Sequence, residues 1–306
     1  MTGSAGFIGR ALCRKLLEEK HSVIGLDVIE TQIKRKNLTS IIGDITNPKL
    51  VDSDETSDLW NNVDFVFHLA AMANVEEVRD KRDLAFKVNL YGTFNVVETC
   101  RKYDIPLGFA STACVYGHTP QHPSTEEGPT NPVDLYGITK LAGEELVKGL
   151  LKRWVILRFG TTYGPEMRSA LCTYIFLRQA IKNEPFTIKG RGDQTRNWIY
   201  IDDLVDGCIK AMKYILDSKE NHIFNLVGQP NYSVKTLAKF CHQIVSGSKK
   251  SYKVQFLPER EDDVFIEDIS IEKAKNLLNW EPKINLYDGL VKCYEEWKRT
   301  GKIQKL

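Results

Sequence analysis

An α/β fold, with a doubly wound parallel sheet and a smaller C-terminal lobe, is predicted by three observations on this 306-residue chain. Short runs rich in β-branched and aromatic residues alternate with stretches whose apolar residues recur at helical spacing, as in sheets covered by helices on both faces. A glycine-rich stretch, T-G-S-A-G-F-I-G at Thr2–Gly9, directly precedes the first helical period. Finally, S-T-A-C-V-Y-G at Ser111–Gly117 closes a strand-like run and Y-G-I-T-K at Tyr136–Lys140 opens a helical one. Both motifs then face the crevice at the carboxyl ends of the strands, where open α/β sheets bind their ligands.

The elements follow in order. Ile8, Ala11, Leu12 and Leu16 keep helical spacing, so a helix follows the glycine loop. Strands are predicted at residues 22–27, 39–43, 63–69, 106–111, 154–158 and 222–226, each an apolar run bounded by turn residues or a helical stretch. Val88, Val96, Val97 and Cys100 predict a helix before Pro106, and Tyr136 opens another before Trp154. Beyond Phe159 the alternation loosens into three proline-bounded pieces: 161–192, 228–258 and 259–306. Residues 1–160 with 197–226 are therefore expected to form one domain, and 161–196 with 227–306 the lobe that covers it.

One strand is missing from this pattern. A glycine loop of this kind should follow a buried central strand, yet Met1 directly precedes Thr2 and Gly3. A sheet without it would expose two strand edges and an apolar slot, so the expectation is a fragment or a displaced start, poorly soluble as it stands.

Composition excludes several classes. Lys plus Arg number 42 against 40 for Asp plus Glu, which leaves no field for nucleic acid or an anionic membrane. The apolar runs are strand-sized, too short to span a bilayer, and no secretory leader pattern is present. Seven scattered Cys without Cys-x-x-Cys spacing suit reduced thiols in a cytoplasmic protein and give no metal site.

The chemistry starts with the glycines. Gly3, Gly6 and Gly9, with Phe7 and Ile8 between the last two, let the backbone turn and approach a phosphate at a helix N-terminus. A tight turn before a helix is the plain alternative. Asp27 supports the dinucleotide reading, since it ends the second strand position 18 residues after Gly9, where a carboxylate accepts hydrogen bonds from a ribose diol. The same charge would repel a 2′-phosphate, so NAD is expected over NADP, although Lys34-Arg35-Lys36 keeps NADP open. Tyr-x-x-x-Lys occurs twice. With 12 Tyr in the chain, about one such pair is expected by chance, and position must decide. Tyr294 and Lys298 lie in a charged helical stretch with no hydroxyl motif nearby and read as solvated surface, which leaves Tyr136 and Lys140.

Together these motifs resemble the nucleotide-sugar epimerase/dehydratase family of extended short-chain dehydrogenases/reductases, over nearly the whole chain. The resemblance includes Gly43-Asp44-Ile45 and His68-Leu69-Ala70-Ala71, and Asn89 in V-N-L-Y-G-T. It implies a Rossmann-like fold. It also implies that Asp44, Ile45, Leu69, Ala70, Ala71 and Asn89 join the glycine loop, Asp27, Tyr136 and Lys140 around the cofactor. Thr112 then takes the catalytic hydroxyl position, Tyr136 the base and Lys140 its partner. A free phenol has a pKa near ~10, so positive charge from Lys140 and an oxidised nicotinamide is expected to lower it. Arg196 and Arg260 resemble arginines that grip a nucleotide diphosphate, with Thr161 also at the substrate. Thr161 and Asp262 depart from the usual Asn and Gly, so base and sugar stay open. A homodimer through residues 88–103 and 136–151 is implied as well.

Among reactions, dehydratases and decarboxylases of the family place acidic residues after the catalytic hydroxyl, where this chain has Ala113 and Cys114. Without that general acid a redox-only cycle is preferred, and a nucleotide-sugar 4-epimerase is expected. A dehydratase, a 4-keto-sugar reductase and a dinucleotide-binding regulator without turnover are the alternatives.

Overall fold

The computed structural model describes residues 1–51, 59–118, 121–248, 251–259 and 268–306. Strands Val66–His68, Leu107–Thr112, Trp154–Phe159 and His222–Leu226 form a four-stranded parallel block, adjacent in that order. Val23–Asp27 and Leu38–Ile42 form a parallel pair beside it. The predicted 63–69 strand is the one that shortens most, because the Val63 amide is spent on a turn to the Trp60 carbonyl at 3.2 Å.

The expected gap is spanned at its carboxyl end. Thr2 makes parallel bridges to Leu26 on one side and His68 on the other, which joins pair and block into one sheet. The Thr2 amide donates to the Phe67 carbonyl at 3.0 Å and the Leu69 amide to the Thr2 carbonyl at 3.3 Å. On the opposite edge Gly3 donates to Leu26 at 2.9 Å and Leu26 to Met1 at 2.8 Å. Three residues thus satisfy the facing backbone groups nearest the glycine loop, where an unpaired group would cost most.

Alternation along the strands divides the core. Val155, Leu157 and Phe159 face Leu12 and Leu16 of helix Phe7–Glu18 and Leu204, Cys208 and Ile215 of helix Ile201–Ser218. Ile156 and Phe109 face the opposite way, toward Val96, Val97 and Cys100 of helix Thr93–Lys102 and Val147 of helix Leu135–Leu150. Each buried aliphatic side chain contributes about 1.5–3 kcal/mol, so both helical layers are held by the period-two pattern of one sheet. The helix predicted through Val88 is compound: α over Arg82–Phe86, a π turn over Lys87–Gly92, then α from Thr93.

Beyond the sheet, three small strand pairs build a shelf. Thr161–Tyr163 lies parallel to Trp198–Tyr200, Phe186–Lys189 parallel to Val254–Leu257, and Thr195–Arg196 antiparallel to Tyr232–Ser233. Buried indoles fasten it, with Trp280 Nε1 donating to the Asp203 carbonyl at 3.0 Å and Trp297 Nε1 to the Pro165 carbonyl at 2.8 Å. Among the described residues no helix is long and apolar enough to cross a membrane.

Candidate active site

A cavity of about 600 Å³ lies between the carboxyl ends of the strands and the shelf. Gly3, Gly6, Phe7, Ile8 and Gly9 form its floor, where helix Phe7–Glu18 begins without a side-chain cap and leaves its first amides free for an anion. Gly3 and Gly9 are sterically required. A Cβ on Gly9 would stand 2.0 Å from the Gly3 carbonyl oxygen, and Gly3 itself has φ +71°. A floor this close, ending in unsatisfied amides, fits the diphosphate of a dinucleotide.

Asp27 braces that floor. Its Oδ2 accepts from the Ala5 amide at 2.9 Å and its Oδ1 from the Ile29 amide at 3.3 Å, with lone pairs left for a ribose. Asp27 does not itself line the cavity, nor do Asp44, Ile45, Ala70 or Asn89, whereas Leu69 and Ala71 do. Asp44 Oδ1 accepts from the Thr46 amide at 2.8 Å, and the Ile45 carbonyl accepts from Asn95 Nδ2 at 2.9 Å.

Behind the wall the hydrogen bonds run in one direction. Thr93 gives its single hydroxyl proton to the Asn89 carbonyl at 2.7 Å, so it accepts from His68 Nε2 at 2.9 Å. His68 Nδ1 therefore accepts from the Thr2 hydroxyl at 2.7 Å, and that oxygen accepts from the Ala70 amide at 3.2 Å. Burial holds His68 neutral, its pKa lowered to about 3. Asn89 uses its amide on Met72, accepting from its N–H at 2.7 Å and donating to its carbonyl at 3.0 Å. Asn89 Nδ2 also donates to Thr139 Oγ1 at 3.2 Å, and Thr139 donates to the Tyr136 carbonyl at 2.8 Å. In this structure Asn89 positions the wall and the Tyr136 backbone rather than lining the cavity.

Thr112, Tyr136 and Lys140 all line the cavity. Strand Leu107–Thr112 ends at the hydroxyl, which accepts from the Cys114 amide at 3.2 Å and is hydrogen-bonded to the Tyr136 phenol. Helix Leu135–Leu150 starts at the cap Asp134, whose Oδ1 accepts from the Gly137 amide at 2.6 Å. That start points Tyr136 into the crevice and buries Lys140 one turn later. Burial pushes the Tyr136 phenol up, Cys114 and Asp134 push it further, and Arg168 and Thr112 oppose them. Burial also lowers the Lys140 amine to about 7, with its Nζ stacked 4.1 Å over the Phe109 ring. Lys140 is not among the groups that lower Tyr136 here.

Thr161 and Arg196 line the shelf side, with Arg196 Nη1 on the Thr195 carbonyl at 2.7 Å. Arg260 and Asp262 lie outside the described residues. Sequence reasoning missed Arg168, Lys189 and Gln194, which also line the cavity. Arg168 Nη2 donates to the Ala73 carbonyl at 3.3 Å and Lys189 pairs with Glu76 at 2.5 Å across the mouth. The signal for Arg168 was its place in the G-P-E-M-R turn just after a strand, at the ligand-binding edge of the sheet.

Comparison with known proteins agrees with this geometry. The sequence model of the NAD dependent epimerase/dehydratase family matches residues 1–227. An uncharacterized UDP-glucose epimerase of Bacillus subtilis is 33% identical over 95% of this chain and 94% of its own. UDP-glucuronic acid decarboxylase 1 of Xenopus tropicalis is 32% identical over 98% of this chain and 72% of its own. The solved UDP-glucuronic acid 4-epimerase of Bacillus cereus, in complex with UDP-glucuronic acid and NAD, superposes with a TM-score of 0.85 at 30% identity, covering 98% of each chain.

Proposed function

Because the chain belongs to the NAD dependent epimerase/dehydratase family, we propose that it is a nucleotide-sugar 4-epimerase, with NAD as its cofactor. The observation that carries this reading is the acid inventory of the cavity. Among the described residues its carboxyl groups are Glu76, paired with Lys189, and Asp134, engaged in capping the helix. Ala113 and Cys114 stand beside Thr112 where an acid would be needed to protonate a leaving hydroxyl. What is left is machinery for moving a proton on and off one oxygen.

In this reading Thr112 orients the sugar 4-hydroxyl and Tyr136 takes its proton, to return it after the 4-keto sugar has turned over in the cavity. NAD, when bound, accepts the C4 hydride and returns it to the opposite face, and its positive charge lowers the Tyr136 phenol. Lys140 bonds the cofactor ribose and adds to that charge. Arg196, with Arg260 by resemblance, takes the diphosphate, and Thr161 the sugar. The floor residues Gly3 to Gly9, with Asp27 at the ribose, hold the dinucleotide, and Asp44, Ile45, Leu69, Ala70, Ala71 and Asn89 surround it. Arg168, close enough to act on Tyr136, suits a sugar that carries a carboxylate. The exposed Tyr91, Phe94 and Ile138 support a homodimer through these two helices.

The test is incubation with UDP-glucose and, separately, UDP-glucuronic acid at substoichiometric NAD, with products followed by NMR. The 4-epimer without net NADH is expected. Formation of a UDP-pentose with release of carbon dioxide would make the enzyme a decarboxylase, and conversion of the added NAD to NADH a dehydrogenase.

A further inference from the structure

A buried polar cluster behind the catalytic helix takes no part in the chemistry above. Glu144, one turn after Lys140, has no exposed surface. Its carboxylate accepts two bonds from Arg158, Nε to Oε1 at 3.0 Å and Nη2 to Oε2 at 2.8 Å, and a third from the Ser111 hydroxyl at 2.5 Å. Arg158 continues to the Tyr116 hydroxyl at 3.0 Å, which donates to Asn225 Oδ1 at 2.7 Å, and the Asn225 amide donates to Glu126 at 2.9 Å. One carboxylate thus ties the helix to two strands. Ser111 and Thr112 are consecutive at the end of their strand and both border the cavity, so the bond that seats Ser111 on Glu144 fixes the strand end that carries Thr112.

We propose that Glu144 is a positioning residue for this site: it docks the end of strand Leu107–Thr112 on the catalytic helix and places a negative charge one helical turn from Lys140. The proposal rests on the roles given above to Thr112 and Lys140. Of the charged and titratable groups around Lys140, Tyr136 and Glu144 share its helix, His68 faces it from the sheet, and Arg158 reaches it through Glu144. Burial works against the ammonium and Glu144 opposes that loss.

The experiment is an NMR titration of the Lys140 amine in the NAD-loaded and free protein, compared with the pH profile of kcat. Glu144→Gln is expected to move the Lys140 midpoint down by about one unit and the alkaline limb of kcat with it. Ser111→Ala keeps the charge, so it should leave the midpoint in place and lower kcat about tenfold at unchanged KM. An unmoved midpoint in Glu144→Gln overturns the electrostatic half, and wild-type kcat in Ser111→Ala overturns the docking half. If Glu144→Gln does not fold, Glu144→Gln with Arg158→Gln leaves no unpaired buried charge and should lower the midpoint in the same direction by less, an unmoved midpoint there overturning the electrostatic half as well. The midpoint needs no substrate, so it is read even where no nucleotide sugar turns over.

Discussion

The chain contains the same five-residue pattern in two places, and the two have almost nothing in common. Tyr136 opens on to the cavity with Thr112 on its hydroxyl, and Lys140 is 2% exposed. Tyr294 sits on a surface helix, with Lys298 4.9 Å over its ring, 51% exposed and 3.2 Å from Glu295. Identical spacing puts both lysines one turn after their tyrosines. Only the first lysine is buried, and burial is what lowers its amine. The difference teaches that the motif is a geometry and the surrounding walls are the chemistry.

The sharpest way to break the comparison is to remove each hydroxyl. Tyr136→Phe should lower kcat by about 10²–10⁴ and leave NAD bound, because a proton acceptor goes and little volume changes. Tyr294→Phe should be silent in the same assay; equal damage from both would mean the walls do not matter. The lysines separate next, by thermal melting against pH. Lys140 is lowered from 10.5 to about 7, so between those values the unfolded chain binds more protons and stability rises with pH, while below about 7 the buried charge is a full cost. Lys140→Met should flatten that rise and raise Tm at pH 6 by a few degrees, about 1.5 °C per kcal/mol for a chain of this size, while abolishing turnover. Lys298→Met should change neither.

Smaller effects sharpen the picture from outside the pair. Arg196→Ala should raise KM for the nucleotide sugar about tenfold at unchanged kcat and NAD affinity, since it removes binding that ground and transition states share. Asp27→Ala should weaken NAD several-fold and narrow its preference over NADP, measured by titration with each cofactor. A preference as strong as wild type would confine Asp27 to bracing the Ala5 amide.

Much of this site was legible because its parts are local. The glycine loop, the strand ending in Ser111 and Thr112 and the helix opened by Tyr136 each declare themselves within a few residues. Arg168 and Glu144 did not, since an arginine in a turn and a glutamate on a helix acquire meaning only when the chain brings Tyr136 or Arg158 against them. Asn89 was recognised as part of the site but not for the Met72 and Thr139 bonds it makes. The gap before Thr2 is met in part for a related reason. Counting residues shows a missing strand, whereas counting backbone donors and acceptors shows that Met1–Gly3 meets both neighbours.

The π turn at Lys87–Gly92 sets the rotational phase of everything after it. Each residue of an α-helix advances about 100°, so one extra residue in a turn sets the following segment back by that amount. On an unbroken α-helix Phe86, Tyr91 and Phe94 would spread over roughly 140° of the circumference. With the turn in place they fall within about 60°, a single exposed stripe on which the Tyr91 and Phe94 rings stack at 6.4 Å. The insertion that seats Asn89 behind the cavity wall therefore also gathers the apolar face proposed above for a second copy. Deleting one residue from this turn would restore the α phase and set the two in opposition: either Asn89 leaves Met72 or the aromatic stripe turns off the surface.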